Sequence, residues 1–463
     1  MGVMSARVAV PGPSAAGAPG VIAALVRSPL DGYQGLAAGY GDSVRVPIGP
    51  RSAFFLLSRP EQAEHVLAVA QDNYIKAATY RPLRALLGDG LLTSEGDTWR
   101  RHRRLVQPMF SRREVPAFGP VIGAAARQLL ARWDELPAGS HVDVTASMSG
   151  LALAVVGRAL FGADLGDETD AVGRAMDAGQ RLATVASFLP VSWGPRSAAA
   201  LKLAVRRVSR TPDGIDGPVG RIIAIRRAAL RTDATPDRRR DLLDVLLTAR
   251  TEDGSPLTDA EVRAEVSTFL VAGHETSANT LSWALALLSA FPAARARLED
   301  EVDAVLGGRE PQPADLDRLP WTAAVISEAL RLYPPAWTIE RDALADDNVA
   351  GVTIPAGSLV AVPPYLVHRH AEFWPDPAGF DPGRFAPADD GWSAERPRYA
   401  YIPFGGGRRA CVGQAFAELE TGLVLAAVAQ RYRLELTGTG LPKPTANVTL
   451  RPGRLPMRLT RRS

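Results

Sequence analysis

Along most of this chain apolar residues recur every three to four positions, in long runs interrupted by proline and glycine. The early exception is 44–57, where short apolar stretches broken by Pro47, Gly49 and Pro50 predict a small antiparallel hairpin. Pro60 opens a helix to about residue 70, and the pattern stays helical to about residue 335. Residues 211–217 and 232–241 are polar and turn-forming and read as loops. Thr258 and Glu261 form a capping box, in which hydroxyl and carboxylate each satisfy an orphan N–H. From there a helical pattern runs unbroken to about Ala290 and stops at Pro292. At about 1.5 Å per residue that helix spans most of a domain. Another helix covers about residues 320–333, ended by Pro334 and Pro335. Strand-like pairs at 349–354 and 359–363 follow, then a proline-rich meander and a final helix with the apolar stripe Phe416, Leu419 and Leu423. No internal repeat is visible. The pattern predicts a mainly α body with a minor β region, an α+β layout. Residues 1–20, rich in Pro, Gly and Ala, read as a flexible lead to a single domain over 21–463.

Composition narrows the function classes. Of the 463 residues 46% are hydrophobic and 22% charged, ample material for a core. The net charge of +3 is too small to argue for nucleic acid, and no aromatic interleaving accompanies the arginines. Only Lys76, Lys202 and Lys443 are lysines, so arginine supplies nearly all the positive charge. One cysteine excludes internal disulfides and iron–sulfur clusters and fits a reducing cytoplasm. The N-terminus has no apolar run of roughly 20 residues, so no membrane anchor is expected there.

That single cysteine, Cys411, sits in FGGGRRACVGQAFAELE. Gly405, Gly406 and Gly407 loosen the loop before it, and a helix follows directly. A helix N-terminus and nearby arginines both favour an anion, so easier deprotonation of the thiol is expected. Gly413 leaves room for a flat ligand against the chain. Taken alone, a lone cysteine is more often a small buried hydrophobe.

Phe404, Gly407, Arg409, Cys411 and Gly413 match FxxGxRxCxG, so the loop resembles the haem-binding loop of the cytochrome P450 superfamily. The resemblance extends over almost the whole chain and implies the fold of that family, with haem b (iron protoporphyrin IX) held by the Cys411 thiolate. In the long helix Ala272, Gly273, Glu275 and Thr276 match the family's oxygen-binding motif. There Thr276 would hydrogen-bond dioxygen and Glu275 would relay protons. A mid-helix threonine can equally bond back to its own helix, and His274 reads as structural. Glu328 and Arg331 form the family's ExxR pair on one helix face, joined by Arg384 in a structural role. Trp99 and Arg103, spaced as WxxxR, would reach a haem propionate, and Arg341 and Arg409 would complete a clamp.

The resemblance also implies a monooxygenase that inserts one atom of O2 into a lipophilic substrate, by hydroxylation or epoxidation of a terpenoid, steroid, fatty acid or similar molecule. Electrons would come from a ferredoxin or flavodoxin with its reductase, docked near Arg408 by Arg100, Arg101, Arg104, Arg112 and Arg113. A cytoplasmic monomer is expected. Pocket candidates are Phe269, Trp337, Thr338, Ile339 and Thr449, with residues 77–92 and 176–193. A peroxide-driven peroxygenase and a non-catalytic haem sensor are the alternatives; both leave the pairing of Glu275 with Thr276 unexplained.

Overall fold

The computed structural model of the chain describes residues 10–49, 52–164, 216–232, 241–250, 254–386 and 396–462. The chain enters along a sheet edge, where the Arg45 N–H donates to the Pro11 carbonyl at 2.9 Å. Of the lead expected over 1–20, residues 10–20 include this contact and the start of the first helix. An edge strand offers unpaired backbone donors, and this segment covers them. Helices α1 (Ala18–Arg27) and α2 (Pro29–Tyr40) follow, each with proline in its first turn.

Strands β1 (Ser43–Pro47) and β2 (Ala53–Leu57) form the predicted antiparallel hairpin, and β3 (Tyr74–Lys76) joins the same sheet. Next come α3 (Gly96–Val106), α4 (Gly119–Asp134), β4 (His141–Asp143) and α5 (Val144–Phe161). Helix α5 is long and apolar enough to cross a membrane, the only such helix among the described residues, but it packs in the core against α4 and α6 (Asp259–Ala290).

The 32-residue α6 starts as its sequence requires. Thr258 Oγ1 accepts from the Glu261 N–H at 3.2 Å, and the Glu261 carboxylate accepts from the Thr258 N–H at 2.8 Å. Its residues are buried around most of the circumference, so it shows no clean polar face. Helix α7 (Pro320–Leu332) packs beside it, and Trp283 of α6 stacks on Tyr333 at 3.7 Å. Strands β5 (Ile339–Ala343) and β6 (Leu359–Val362) complete the first sheet in the order β1-β2-β6-β5-β3. Only the β2–β6 pairing is parallel.

Helix α8 (Gln414–Arg431) buries the expected Phe416, Leu419 and Leu423, but it is not the last element. Strands β7 (Tyr432–Leu436), β8 (Leu450–Arg451) and β9 (Pro456–Arg461) follow, and β9 lies between β4 and β7. Such short alternating runs leave little signal beside an apolar helix. The loops expected at 211–217 and 232–241 lie largely outside the described residues; Asp216 and Gly217 belong to the helix Asp216–Thr232.

Candidate active site

Between α6, α8 and the first sheet lies a cavity of about 320 Å³, within the size range of small-molecule sites. A larger cleft of about 1260 Å³ shares Phe404, Gly405 and Gly406 with it but reaches neither Cys411 nor Thr276. The chemistry-bearing residues meet in the smaller one.

The cysteine loop is set by close backbone approach. Gly407 has φ 62°, and a Cβ there would lie 1.9 Å from the Leu67 carbonyl oxygen, so no other residue fits. The Cys411 N–H donates to the Phe404 carbonyl at 2.8 Å, which closes the loop just before α8. Cys411 is exposed and opens into the cavity, deep within the surrounding protein. Burial pushes its thiol up, and the Gly413 N–H and the Arg103 charge only partly oppose this. The expected ease of deprotonation is thus reversed for the bare thiol, because dehydration outweighs the favourable dipoles. A metal cation bound to the sulfur supplies the missing stabilisation.

At one end of the cavity three cations converge. Lys76 and Arg341 stand directly opposite each other across β3 and β5, and Arg409 comes from the cysteine loop. Burial, then Arg341 and Arg409, hold the Lys76 ammonium well below its usual range. Burial likewise brings Arg409 down to about 10, opposed by Glu95. Like charges facing across strands destabilise a sheet unless something anionic lies between them. Glu95 pairs with Arg409, and the Glu340 carboxyl acts on Arg341. Arg409 also donates to the Ser94 carbonyl at 2.9 Å and stacks 4.1 Å over Trp99. The anionic propionates of a haem would fit against this end.

Arg103 is not part of that cluster. Its guanidinium donates to the Ala410 carbonyl at 2.9 Å, beside the sulfur rather than into the cavity. Lys76, which sequence reasoning did not single out, lines the cavity. The available signal was its rarity, one of three lysines in an arginine-rich chain.

The α6 wall carries Phe269, Ala272, Gly273 and Thr276 to the cavity, with Ser277 and Thr280 beyond. Phe269 stacks on Phe110 at 5.4 Å. A Cβ at Gly273 would come within 3.0 Å of Val156 on α5, so the glycine also serves helix packing. The Thr276 hydroxyl donates to the Ala272 carbonyl at 2.7 Å while lining the cavity, so the back-bonded and site readings hold together. Glu275 faces elsewhere. Its carboxylate accepts from Thr449 at 2.7 Å and pairs with Arg451 of β8 at 2.8 Å.

Among the pocket candidates, Phe269 and Ile339 line the cavity, and Tyr80 and Leu92 come from 77–92. Thr449, Trp337 and Thr338 do not. Thr449 is engaged with Glu275. The Trp337 indole donates to the Asn447 carbonyl at 2.8 Å and its ring packs 5.4 Å from Tyr33. A buried indole needs an acceptor, and it found one in the core rather than in the site. Thr338 lies 3.5 Å from the Tyr33 hydroxyl. Residues 176–193 lie outside the described residues.

Behind the loop, Glu328 and Arg331 are wholly buried and bonded through two contacts of 2.7 Å. Arg384 reaches Glu328 at 3.4 Å, and Arg331 also donates to the carbonyls of His368, Pro377 and Gly379. His274 is buried, 2.7 Å from the Ser149 hydroxyl.

The profile of the cytochrome P450 family matches residues 22–457. The chain belongs to the cytochrome P450 family. It is 37% identical to the putative cytochrome P450 132 of Mycobacterium tuberculosis, over 91% of this chain and 90% of that one. It is 35% identical to the cyclooctatin synthase of Streptomyces melanosporofaciens, over 93% and 91%, and 35% identical to the pentalenene oxygenase of Streptomyces avermitilis, over 95% and 94%. The crystal structure of the cytochrome P450DA haem domain superposes with a TM-score of 0.82 at 26% identity, covering 99% of this chain and 98% of that one. The protein is a P450 monooxygenase with the P450 fold, mainly helical with small sheets. Its haem, its substrate, O2 and a redox partner follow from the family. The sulfur open to an apolar cavity and the basic groups clustered at one end fit that cofactor.

Proposed function

We propose that this P450 hydroxylates or epoxidises a lipophilic terpenoid-like hydrocarbon in secondary metabolism. It uses haem b and single electrons from a ferredoxin or flavodoxin, and works as a cytoplasmic monomer with one catalytic domain over 21–463. The observation that carries this reading is the single cavity where Cys411 and Thr276 meet among Leu92, Phe110, Val156 and Ile339. Beyond its cationic end the wall is largely apolar, and its helix hydroxyls are already bonded within the protein, which favours a hydrocarbon. Two similar proteins are named for cyclooctatin and pentalenene, in line with this choice.

Bound haem supplies the dioxygen chemistry. Cys411 would hold the iron, with its loop fixed by the Phe404 carbonyl, while Lys76, Arg341 and Arg409 would neutralise the propionates. Thr276 presents a hydroxyl to the cavity, and Phe269, Phe110 and Ile339 orient the substrate and exclude water. On the far side of the cysteine loop, Arg112 and Arg398 line the larger cleft, which suits an acidic electron donor. Of the other arginines assigned to docking, Arg101 is committed to Glu261, while Arg100 and Arg408 carry the exposed partners Asp97 and Asp72.

The test is turnover of pentalenene with NADPH, ferredoxin and ferredoxin reductase, beside the absorbance of the reduced protein under carbon monoxide. A thiolate-type band and an oxygenated product are expected. Thr276→Ala should shift oxygen consumption from product to peroxide. An imidazole-type band in haem-replete protein would refute thiolate ligation.

A further inference from the structure

His368 ends the short helix Pro364–Val367 and has no solvent exposure. Its two ring nitrogens face backbone groups. The Ile402 N–H donates to Nε2 at 2.8 Å, and Nδ1 lies 3.3 Å from the Arg331 carbonyl of α7. An amide N–H can only donate, so Nε2 is the acceptor and the ring is neutral, with its proton on Nδ1. That bond is the first of three leading to the sulfur. The Ile402 carbonyl accepts from the Gly405 N–H at 3.0 Å, and the Phe404 carbonyl accepts from the Cys411 N–H at 2.8 Å. At the other end Arg331, paired with Glu328, donates to the His368 carbonyl at 3.0 Å. His368 thus joins the buried Glu328–Arg331 brace to the segment that enters the cysteine loop.

The surroundings resist a second proton on this ring. The charges that act on it are Arg331 of α7 and Arg369, next in the chain; both are cations, and Glu328 is committed to Arg331. The Tyr401 ring lies 5.2 Å away and the Trp374 ring 6.5 Å away, with Arg396 set 3.9 Å over Trp374. Burial first, then Arg331 and Arg369, hold protonation well below the ordinary histidine range. A proton on Nε2 would also turn that atom into a donor facing a donor, leaving the buried Ile402 N–H without an acceptor.

We propose that His368 is a positioning residue for the Cys411 thiolate: its neutral ring holds the cysteine loop in ligating register, and a proton on Nε2 lets the loop go. This rests on the thiolate-ligated haem of the monooxygenase reading. It adds a residue outside the cavity lining that sets the acid limit of that ligation. The proton comes from solvent and returns to it as the pH rises, and only hydrogen bonds change within the protein.

The test follows the absorbance of the reduced, haem-loaded protein under carbon monoxide as the pH is lowered from mildly alkaline. The parent should keep its thiolate-type band through neutrality and lose it in acid. His368→Gln puts an amide oxygen where Nε2 stood, accepts the same N–H and cannot gain a proton, so its band should persist to lower pH. His368→Ala offers no acceptor, and at neutral pH its share of thiolate-type band should fall roughly tenfold. Urea unfolding gives a readout independent of the band. The folded pKa is lowered, so below 6.5 the unfolded chain binds more protons, and the parent should lose stability relative to His368→Gln as the pH falls. Loss of the band at one pH in parent and His368→Gln alike, or parallel unfolding curves in acid, would overturn the proposal. So would a His368→Gln that takes up no haem, since an acceptor at that point is the role assigned. If His368→Ala takes up no haem, the parent and His368→Gln decide between them. A parent without a thiolate-type band at neutral pH would instead refute thiolate ligation, whereas normal bands with identical acid limits refute only the part given to His368.

Discussion

Glu328 behind the cysteine loop and Glu420 in the α6–α8 seam are both wholly buried. Around Glu328 the structure gathers two N–H groups of Arg331 at 2.7 Å, the Asp381 N–H at 2.9 Å and the Arg384 guanidinium at 3.4 Å. Around Glu420 it places one serine hydroxyl. Dehydrating a carboxylate costs several kcal/mol, and only a full set of donors and cations offsets that. The first region meets this condition and becomes a rigid brace for the meander and haem loop. The second does not, and burial leaves its carboxyl protonated at neutral pH. Equal burial therefore yields an ion-paired carboxylate in one place and a neutral carboxyl in the other.

The comparison breaks most violently at the brace. Arg331→Ala leaves Glu328 buried without its main partner, and a loss of about 3–5 kcal/mol is expected, with failure to retain haem. Urea unfolding and the haem-to-protein absorbance ratio check this; a fully loaded variant of parental stability would contradict the assigned role.

A smaller effect is expected in the seam. Glu420→Gln keeps shape and hydrogen bonding and should cost less than about 1.5 kcal/mol, whereas Glu420→Ala strands Ser277 and should cost about 1–3 kcal/mol before any cavity term. The pH dependence is the sharper measurement. The folded carboxyl has its pKa raised, so between the ordinary 4.5 and about 8 the unfolded chain is ionised while the folded one is not. The folded state then binds more protons, and this group's contribution to stability falls as pH rises through that window and levels off above it. Unfolding midpoints of the parent against Glu420→Gln should diverge accordingly, with the parent losing ground toward about pH 8. Parallel curves would mean an ionised Glu420.

The least effect on stability belongs to the exposed arginines, where water does the compensating. Arg100→Glu with Arg104→Glu should change stability by less than about 1 kcal/mol. Electron transfer from ferredoxin should nevertheless slow and lose its salt dependence, as stopped-flow reduction would show. Unchanged rates at low and high salt would remove these residues from the docking face.

Some of this was legible before any fold was in hand, and the particular residues show why. Thr258, Glu261 and Pro292 bound α6 through local backbone chemistry, which needs no partner elsewhere. Cys411 and its glycines carry a spacing that suits one ligand geometry, and Glu328 with Arg331 share a face because a helix repeats every 3.6 residues. Those features are short-range, so order along the chain determined them. What the tertiary structure alone decided concerns groups brought together from distant segments. Lys76 meets Arg341 only because β3 pairs with β5, Trp337 turns into the core because Asn447 offers an acceptor there, and Arg103 turns to Ala410. The Cys411 thiol is pushed up and Glu420 keeps its proton because packing removes water around them. Dehydration is a property of everything that surrounds a group, and no stretch of sequence contains its own surroundings.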